Sequence, residues 1–286
     1  MDKLGLFFDS WEFFREAALS GAFAGALLGG IGIYILLGRI VFLSAALSQV
    51  ASAGVAFALW LPALLGMHVH DNVPWYFQPI LVSFVITLGV FLIASLMLRK
   101  AKFPDSILAA LYLGGASATI LIGTQIVHEI QDVQQLLIGN AVLVEHAEFV
   151  GLMVISSLIL AMFIYAHRAF ESASFWPDAS QVAGVPVTAI NLVKFVALTL
   201  AITYTTRMMG AMPVFALSCL PAVAARHTSN VRTMFICALA IGAFCGFAGY
   251  ILAFVFDFPV GPTQTALALA YALFSEIIYF CIKRIK

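Results

Sequence analysis

Polar side chains are scarce in this chain, so the few that recur at regular spacing limit what chemistry it can do. Ser44, Ser48 and Ser52 fall every four residues in FLSAALSQVASAGVAFA, with Gln49 beside them. On a helix this spacing draws one polar stripe along an otherwise apolar face. Hydroxyls and a neutral amide can bond a neighbouring helix or line a path for a polar solute, and the residues alone leave both readings open. Three further groups carry metal-type donors. His68, His70 and Asp71, in GMHVHDNVPWY, offer two imidazoles and a carboxylate within four residues, a donor set that suits a borderline divalent cation. His128, Glu129 and Asp132 form a second group, and on a helix His128 and Asp132 would share a face. Glu145, His146 and Glu148 form a third. For each group the alternative is a solvated loop.

The elements that must position these groups are membrane spans. The chain has 286 residues, of which 63% are hydrophobic and 10% charged, with mean hydropathy +1.06. Soluble domains carry about 25% charge, and a water-soluble fold of this length could not hide so much apolar surface. A spanning helix needs about 20 apolar residues. The runs free of charge predict nine such helices, at 17–37, 45–66, 78–98, 105–127, 148–167, 187–207, 209–225, 233–256 and 264–282, with 209–225 the shortest. Barrel strands need only about 10 alternating residues, so the expected fold class is an all-α polytopic membrane protein of eight or nine spans. We expect a single transmembrane domain over 1–286, with no second domain or linker.

Laid across a bilayer, the charges sort by side. Arg39, Arg99, Lys100, Lys102, Arg168, Lys194, Arg226, Arg232, Lys283, Arg284 and Lys286 fall on one face, which the positive-inside rule makes cytoplasmic. The C-terminus is then inside, and the expected location is the cell inner membrane. Ten of the 14 acids, among them Asp71, Glu129, Asp132, Glu145, Glu148 and Asp257, fall on the outer face, where they would attract cations. Residues 1–16 read as an interfacial helix, because Phe7, Phe8, Trp11 and Phe14 form one stripe. Residues 134–146 are too short to cross and read as a bent outer segment. The cytoplasmic connection is 168–186, and within it WPDASQVAG reads as a short helix started by Pro177 and stopped by Gly184.

Several classes are excluded. Net charge is zero, so there is no basic patch for nucleic acid. There is no Walker A loop. His128-Glu129 opens like a zincin motif, but Asp132 stands where the second His is required. Cys219, Cys237, Cys245 and Cys281 lie in apolar runs without CxxC spacing and read as core thiols. The first apolar run is too long and continuous for a signal peptide. Gly21, Gly25 and Gly29, and likewise Gly242 and Gly246, make small-residue rows that let helices approach. The spans are almost free of mid-membrane ionisable groups, with Lys194, Arg207 and Glu276 near enough to the ends to snorkel. No base, nucleophile and oxyanion donor come together as an enzyme would need, and a driving force is expected from another subunit. At 221–232, Pro221 ends or kinks an apolar run and Arg226, His227, Thr228, Ser229, Asn230 and Arg232 follow as a compact polar loop. That loop reads as a positive-inside turn or as a docking loop for an ATPase.

At these residues the chain resembles the permeases of metal-uptake (zinc/manganese/iron) ABC transporters, relatives of the vitamin B12 and siderophore importers. Six segments carry the resemblance in order: GRIVFLSAALSQVASAGVAFA, PDSILAALYLGG, LLIGNAVLV, DASQVAGVPV, MGAMPVFALSCLPAVAAR and DFPVGPTQTALALAYALFS. The resemblance implies a homodimeric or pseudo-symmetric permease with two ATPase subunits below and a periplasmic or lipid-anchored metal-binding protein above. It implies no cofactor in this chain, since ATP would be bound by the partner. It places the coupling loop at Pro221 to Arg232 and a substrate path along Ser44, Ser48, Gln49 and Ser52.

In one respect the chain departs from that pattern. Where the family carries an Asp followed four residues later by a His as gate ligands, this chain has Ala45 and Gln49. Alanine has no donor atom, and a bare dication pays a large desolvation cost in an apolar path. The cargo that the resemblance implies is a divalent metal ion, passing hydrated or ligated elsewhere, and the missing pair makes a metal chelate or small organic molecule the alternative. The family's aromatic-Asp pair before the cytoplasmic helix is also replaced, by Phe175-Trp176-Pro177.

Overall fold

The structure, a computed structural model, describes residues 7, 11–64, 78–98, 104–125, 144–175, 177–228 and 230–285. All regular structure among them is helical. The elements are α1 (Trp11–Leu37), α2 (Val41–Leu64), α3 (Pro79–Leu98), α4 (Pro104–Gly123), α5 (His146–Tyr165), α6 (His167–Phe175), α7 (Pro177–Val182), α8 (Val187–Met209), α9 (Ala211–Ala225), α10 (Val231–Phe256) and α11 (Val260–Ile285). Eight of these, α1 to α5, α8, α10 and α11, are long and apolar enough to cross a membrane.

The ninth expected span, 209–225, is α9, a helix of only 15 residues. It rises about 22 Å, short of a hydrocarbon core of about 30 Å. It nevertheless runs from one end of the bundle to the other. Arg207, just before it, lies 3.2 Å from Glu148 in the first turn of α5, and Arg226, just after it, lies 2.7 Å from Glu276 in the second half of α11. Ten of its 15 residues are buried, against α1, α2, α8, α10 and α11. A helix surrounded by protein need not match the bilayer's thickness, because its ends meet polar protein groups rather than lipid.

The tightest seam joins α1 to α10, which run antiparallel. A Cβ on Gly21 would lie 2.6 Å from the Gly246 carbonyl oxygen, and one on Gly25 would overlap the Gly242 carbonyl. The rows of small residues thus bring backbone against backbone. On the same helix a Cβ on Gly32 would overlap the Ser218 carbonyl of α9. A second group forms around α2, which packs on α3 and α4. There Gly115 of α4 sits against the α2 backbone at Gln49 and Val50, and the Ser83 hydroxyl of α3 donates to the Ala51 carbonyl at 2.7 Å. Helix α8 bridges the two groups.

Three expectations change here. Trp11–Glu16 is the opening of α1, continuous with the first span, and not a separate interfacial helix. Phe7, Trp11 and Phe14 turn inward onto Phe247, Tyr250 and Phe254 of α10, so their stripe meets protein. Pro221 does not end its helix: α9 continues to Ala225, and the turn before α10 covers 226–230, with Arg232 already in the first turn of α10. The connection 168–186 is itself mostly helical, as α6 and α7, and Gly184 stops α7 at φ +80° as expected from the sequence.

Candidate functional site

The serine stripe is enclosed within the chain. Ser44, Ser48 and Ser52 are fully buried, and Gln49 is 7% exposed. Ser44 donates to the Val41 carbonyl and Ser48 to the Ala45 carbonyl, each at 2.9 Å. These two hydroxyls thus bond their own helix rather than a neighbour. Such bonds satisfy each donor while leaving the oxygen's lone pairs able to accept. Beside them the buried Gln49 Oε1 has no hydrogen-bond partner, and Ala45 is 2% exposed. The two positions that carry gate ligands in the pattern the sequence resembles therefore hold one neutral, unused oxygen and a methyl group.

The metal-donor groups meet different fates. His68, His70, Asp71, His128, Glu129 and Asp132 lie outside the described residues. Of the third group, His146 and Glu148 are committed elsewhere: His146 Nδ1–H donates to Glu16 at 2.7 Å, and Glu148 accepts from Arg207 Nε and Nη2 at 3.3 and 3.2 Å. The Tyr204 hydroxyl donates to the Glu148 carbonyl at 3.0 Å. These bonds lace the start of α5 to α1 and α8 instead of forming a ligand set. Among the described residues, no three His, Cys, Asp or Glu side chains come together as a metal site.

At the opposite end of the bundle, Arg226 and His227 converge on Glu276 of α11. Arg226 Nη2 donates to Oε2 at 2.7 Å, and His227 Nε2 lies 3.0 Å from Oε1. A carboxylate only accepts, so His227 Nε2 carries the proton, and the 3.4 Å approach of Arg226 Nε to that nitrogen is not a second bond. The His227 ring stacks on Tyr279 with centroids 3.8 Å apart. The Thr228 hydroxyl returns to the Ala225 carbonyl at 2.9 Å, and Ser275 donates to the Ala224 carbonyl at 2.7 Å. The last turn of α9 and the turn after it are thus clamped to α11. Asn230 and Arg232 are exposed, and Ser229 lies outside the described residues.

Several residues escaped the sequence reading. Glu276 was expected to snorkel, yet it is the hub of this clamp, and the signal for it was a single acid in an otherwise acid-free final span. Lys194 also does not snorkel: it is 6% exposed and donates to Ser174 Oγ at 3.0 Å, tying α8 to α6. The Tyr34 hydroxyl lies 2.7 Å from His167 Nδ1, whose Nε2 faces Glu171 at 3.7 Å. Gln264 of α11 is 1% exposed and donates to the Gly246 carbonyl of α10 at 2.9 Å, beside the α1–α10 seam.

Comparison with known proteins places this architecture. The structure of PsaBC from Streptococcus pneumoniae in complex with Fab superposes with a TM-score of 0.81 at 19% identity, covering 95% of this chain and 94% of that one, so the two share a fold. The manganese transport system membrane protein MntC of Halalkalibacterium halodurans is 23% identical over 99% of this chain and 94% of its own length. The high-affinity zinc uptake system membrane protein ZnuB of Haemophilus influenzae is 20% identical over 88% of this chain and 92% of its own length. The sequence profile described as the ABC 3 transport family matches residues 10–279, and the chain therefore belongs to that family, as a multi-span membrane component of an ABC transporter.

Proposed function

We propose that this chain is the permease subunit of an ATP-driven importer of divalent metal ions: zinc, manganese or iron. The observation that carries the reading is the end-to-end likeness to permeases named for manganese and zinc uptake. ATP binds the partner ATPase, in two copies, and a second copy of this chain completes the pathway. A metal-binding protein feeds the acid-rich end. The protein sits in the inner membrane with its C-terminus in the cytoplasm, and 1–286 acts as one transmembrane domain. Clamping of Arg226 and His227 onto Glu276 makes the end of α9 and the end of α11 one body. A push on 221–232 by the ATPase then moves both helices together. Because α9 is packed on α1 and α2, that motion reaches the buried stripe at Ser44, Ser48, Gln49 and Ser52.

The test is uptake of radiolabelled manganese, zinc or iron into proteoliposomes that hold this chain with its ATPase and binding protein. ATP-dependent accumulation of at least one is expected, and none for all three sinks the reading. A second reading keeps the scaffold and changes the cargo to a metal chelate or small organic molecule. The buried, unpaired Gln49 Oε1 beside Ala45 favours it, because a neutral amide suits a neutral solute better than a dehydrated dication.

A further inference from the structure

A groove of about 490 Å³ opens where the end of α5 and the start of α6 face the start of α10. Its walls are apolar and outward-facing: Ile164 is 63% exposed and Ile236 65%, and both lie within membrane-spanning helices. Phe235 and Leu239 line it further. One end is headed by Arg168 and Arg232. Neither arginine has an ion-pair partner among the described residues. His167 also borders the groove, but its nitrogens are directed at Tyr34 and Glu171. Tyr165, which is 96% exposed, stands at the rim, where an amphipathic ring sits at headgroup depth.

We propose that this groove holds one anionic phospholipid, its phosphate between Arg168 and Arg232 and one acyl chain along Ile164, Ile236 and Leu239. The combination argues for a lipid rather than for a soluble partner. An ATPase surface could meet the arginines, but it could not enter an apolar groove at hydrocarbon depth. A lone surface cation needs no such groove, whereas a lipid matches both the charge at one end and the apolar walls beyond it. The aromatic cluster of Tyr34, Phe163, Phe170 and Phe235 stiffens the floor behind it.

Native mass spectrometry of the full chain in detergent tests this, with dioleoyl-phosphatidylglycerol and dioleoyl-phosphatidylcholine as probes. The wild type is expected to retain one phosphatidylglycerol per chain in preference to phosphatidylcholine. Removing both charges, as R168Q with R232Q, is expected to weaken that binding roughly thirty-fold, from about five-fold per arginine near a membrane surface. Ile236→Trp, which fills the groove but leaves the charges, is expected to weaken it as well, and inorganic phosphate at millimolar concentration is expected not to displace the lipid. The proposal fails if the two lipids bind alike, if the double variant retains phosphatidylglycerol as the wild type does, or if phosphate displaces it. A variant that melts like the wild type while losing the lipid excludes misfolding as the cause.

Discussion

Replacing Gly21 by alanine adds one methyl group at the α1–α10 seam, and its effect can be worked from the structure. The new Cβ would stand 2.6 Å from the Gly246 carbonyl oxygen, while ordinary contact begins at 3.4 Å. The helices must therefore part by about 0.8 Å where they cross, the difference of those two distances. Neither side can yield by rotating a side chain, because the obstacle is backbone. A gap of that size forfeits a quarter to a half of the dispersion attraction along the parted surface. Overpacking costs about 1–3 kcal/mol, and rigid backbone as the obstacle puts this site in the upper half of that range, about 2–3 kcal/mol. Alanine returns about 0.8–1 kcal/mol through its better helix propensity, so the net loss is about 1–2 kcal/mol. Gly89, in α3, supplies the control: a Cβ there meets nothing within 4 Å, and only the propensity gain of about 1 kcal/mol remains. In a detergent melt followed by intrinsic fluorescence, Gly21→Ala should lower the midpoint by roughly 3–6 °C and Gly89→Ala should raise it by roughly 3 °C. Adding Gly246→Ala to Gly21→Ala should cost less than the sum, because both methyls open the same crossing. If Gly21→Ala melts like the wild type, or Gly89→Ala falls as far, the close approach of α1 and α10 is not what holds these helices.

Other outcomes follow from the same geometry. Glu276→Gln removes the charge that holds Arg226 and His227, and should cut ATP-driven uptake by about ten-fold while the complex still hydrolyses ATP; equal loss of both activities would show that the clamp serves assembly and not coupling. Gln49→Ala should change uptake less than two-fold, whereas Ala45→Asp combined with Gln49→His should give the purified chain a manganese affinity measurable by calorimetry that the wild type lacks. Tyr34→Phe leaves the half-buried His167 Nδ1 without its hydrogen-bond partner and should destabilise by about 1–3 kcal/mol, seen as a lower melting midpoint with unchanged uptake per folded molecule.

The spans were legible because hydrocarbon imposes one rule on every residue within it. A run without charge must close its own backbone hydrogen bonds, so its length and limits show in the sequence. Thus 187–207 became Val187–Met209, and 233–256 became Val231–Phe256. The start of α1 was misjudged for the same reason: Glu12, Arg15 and Glu16 interrupt the apolar run, but a helix can carry charges once it reaches headgroup depth. The glycine rows were legible as packing signals, though not which row meets which.

The candidate site was far less legible, and the cause is physical. A polar side chain in a membrane must find a partner, but sequence spacing reveals only partners on the same helix. Ser44 and Ser48 looked like a shared wall, yet each bonds a carbonyl three residues back, a choice that their four-residue periodicity does not reveal. The clamp joins Arg226 to Glu276 across 50 positions, and Glu148 meets Arg207 across 59. Each of these ions was visible as an exception within or beside an apolar run. Three charges that the sequence places near enough to span ends to snorkel, Lys194, Arg207 and Glu276, each bond a group on another element. In a chain this poor in charge, an ion near a span end is therefore better read first as one half of a contact between helices, and the other half sought at the same depth on the remaining spans. By that criterion Arg168 and Arg232, two cations lining one groove with no acid paired to either among the described residues, are the charges that the lipid proposed above would neutralise.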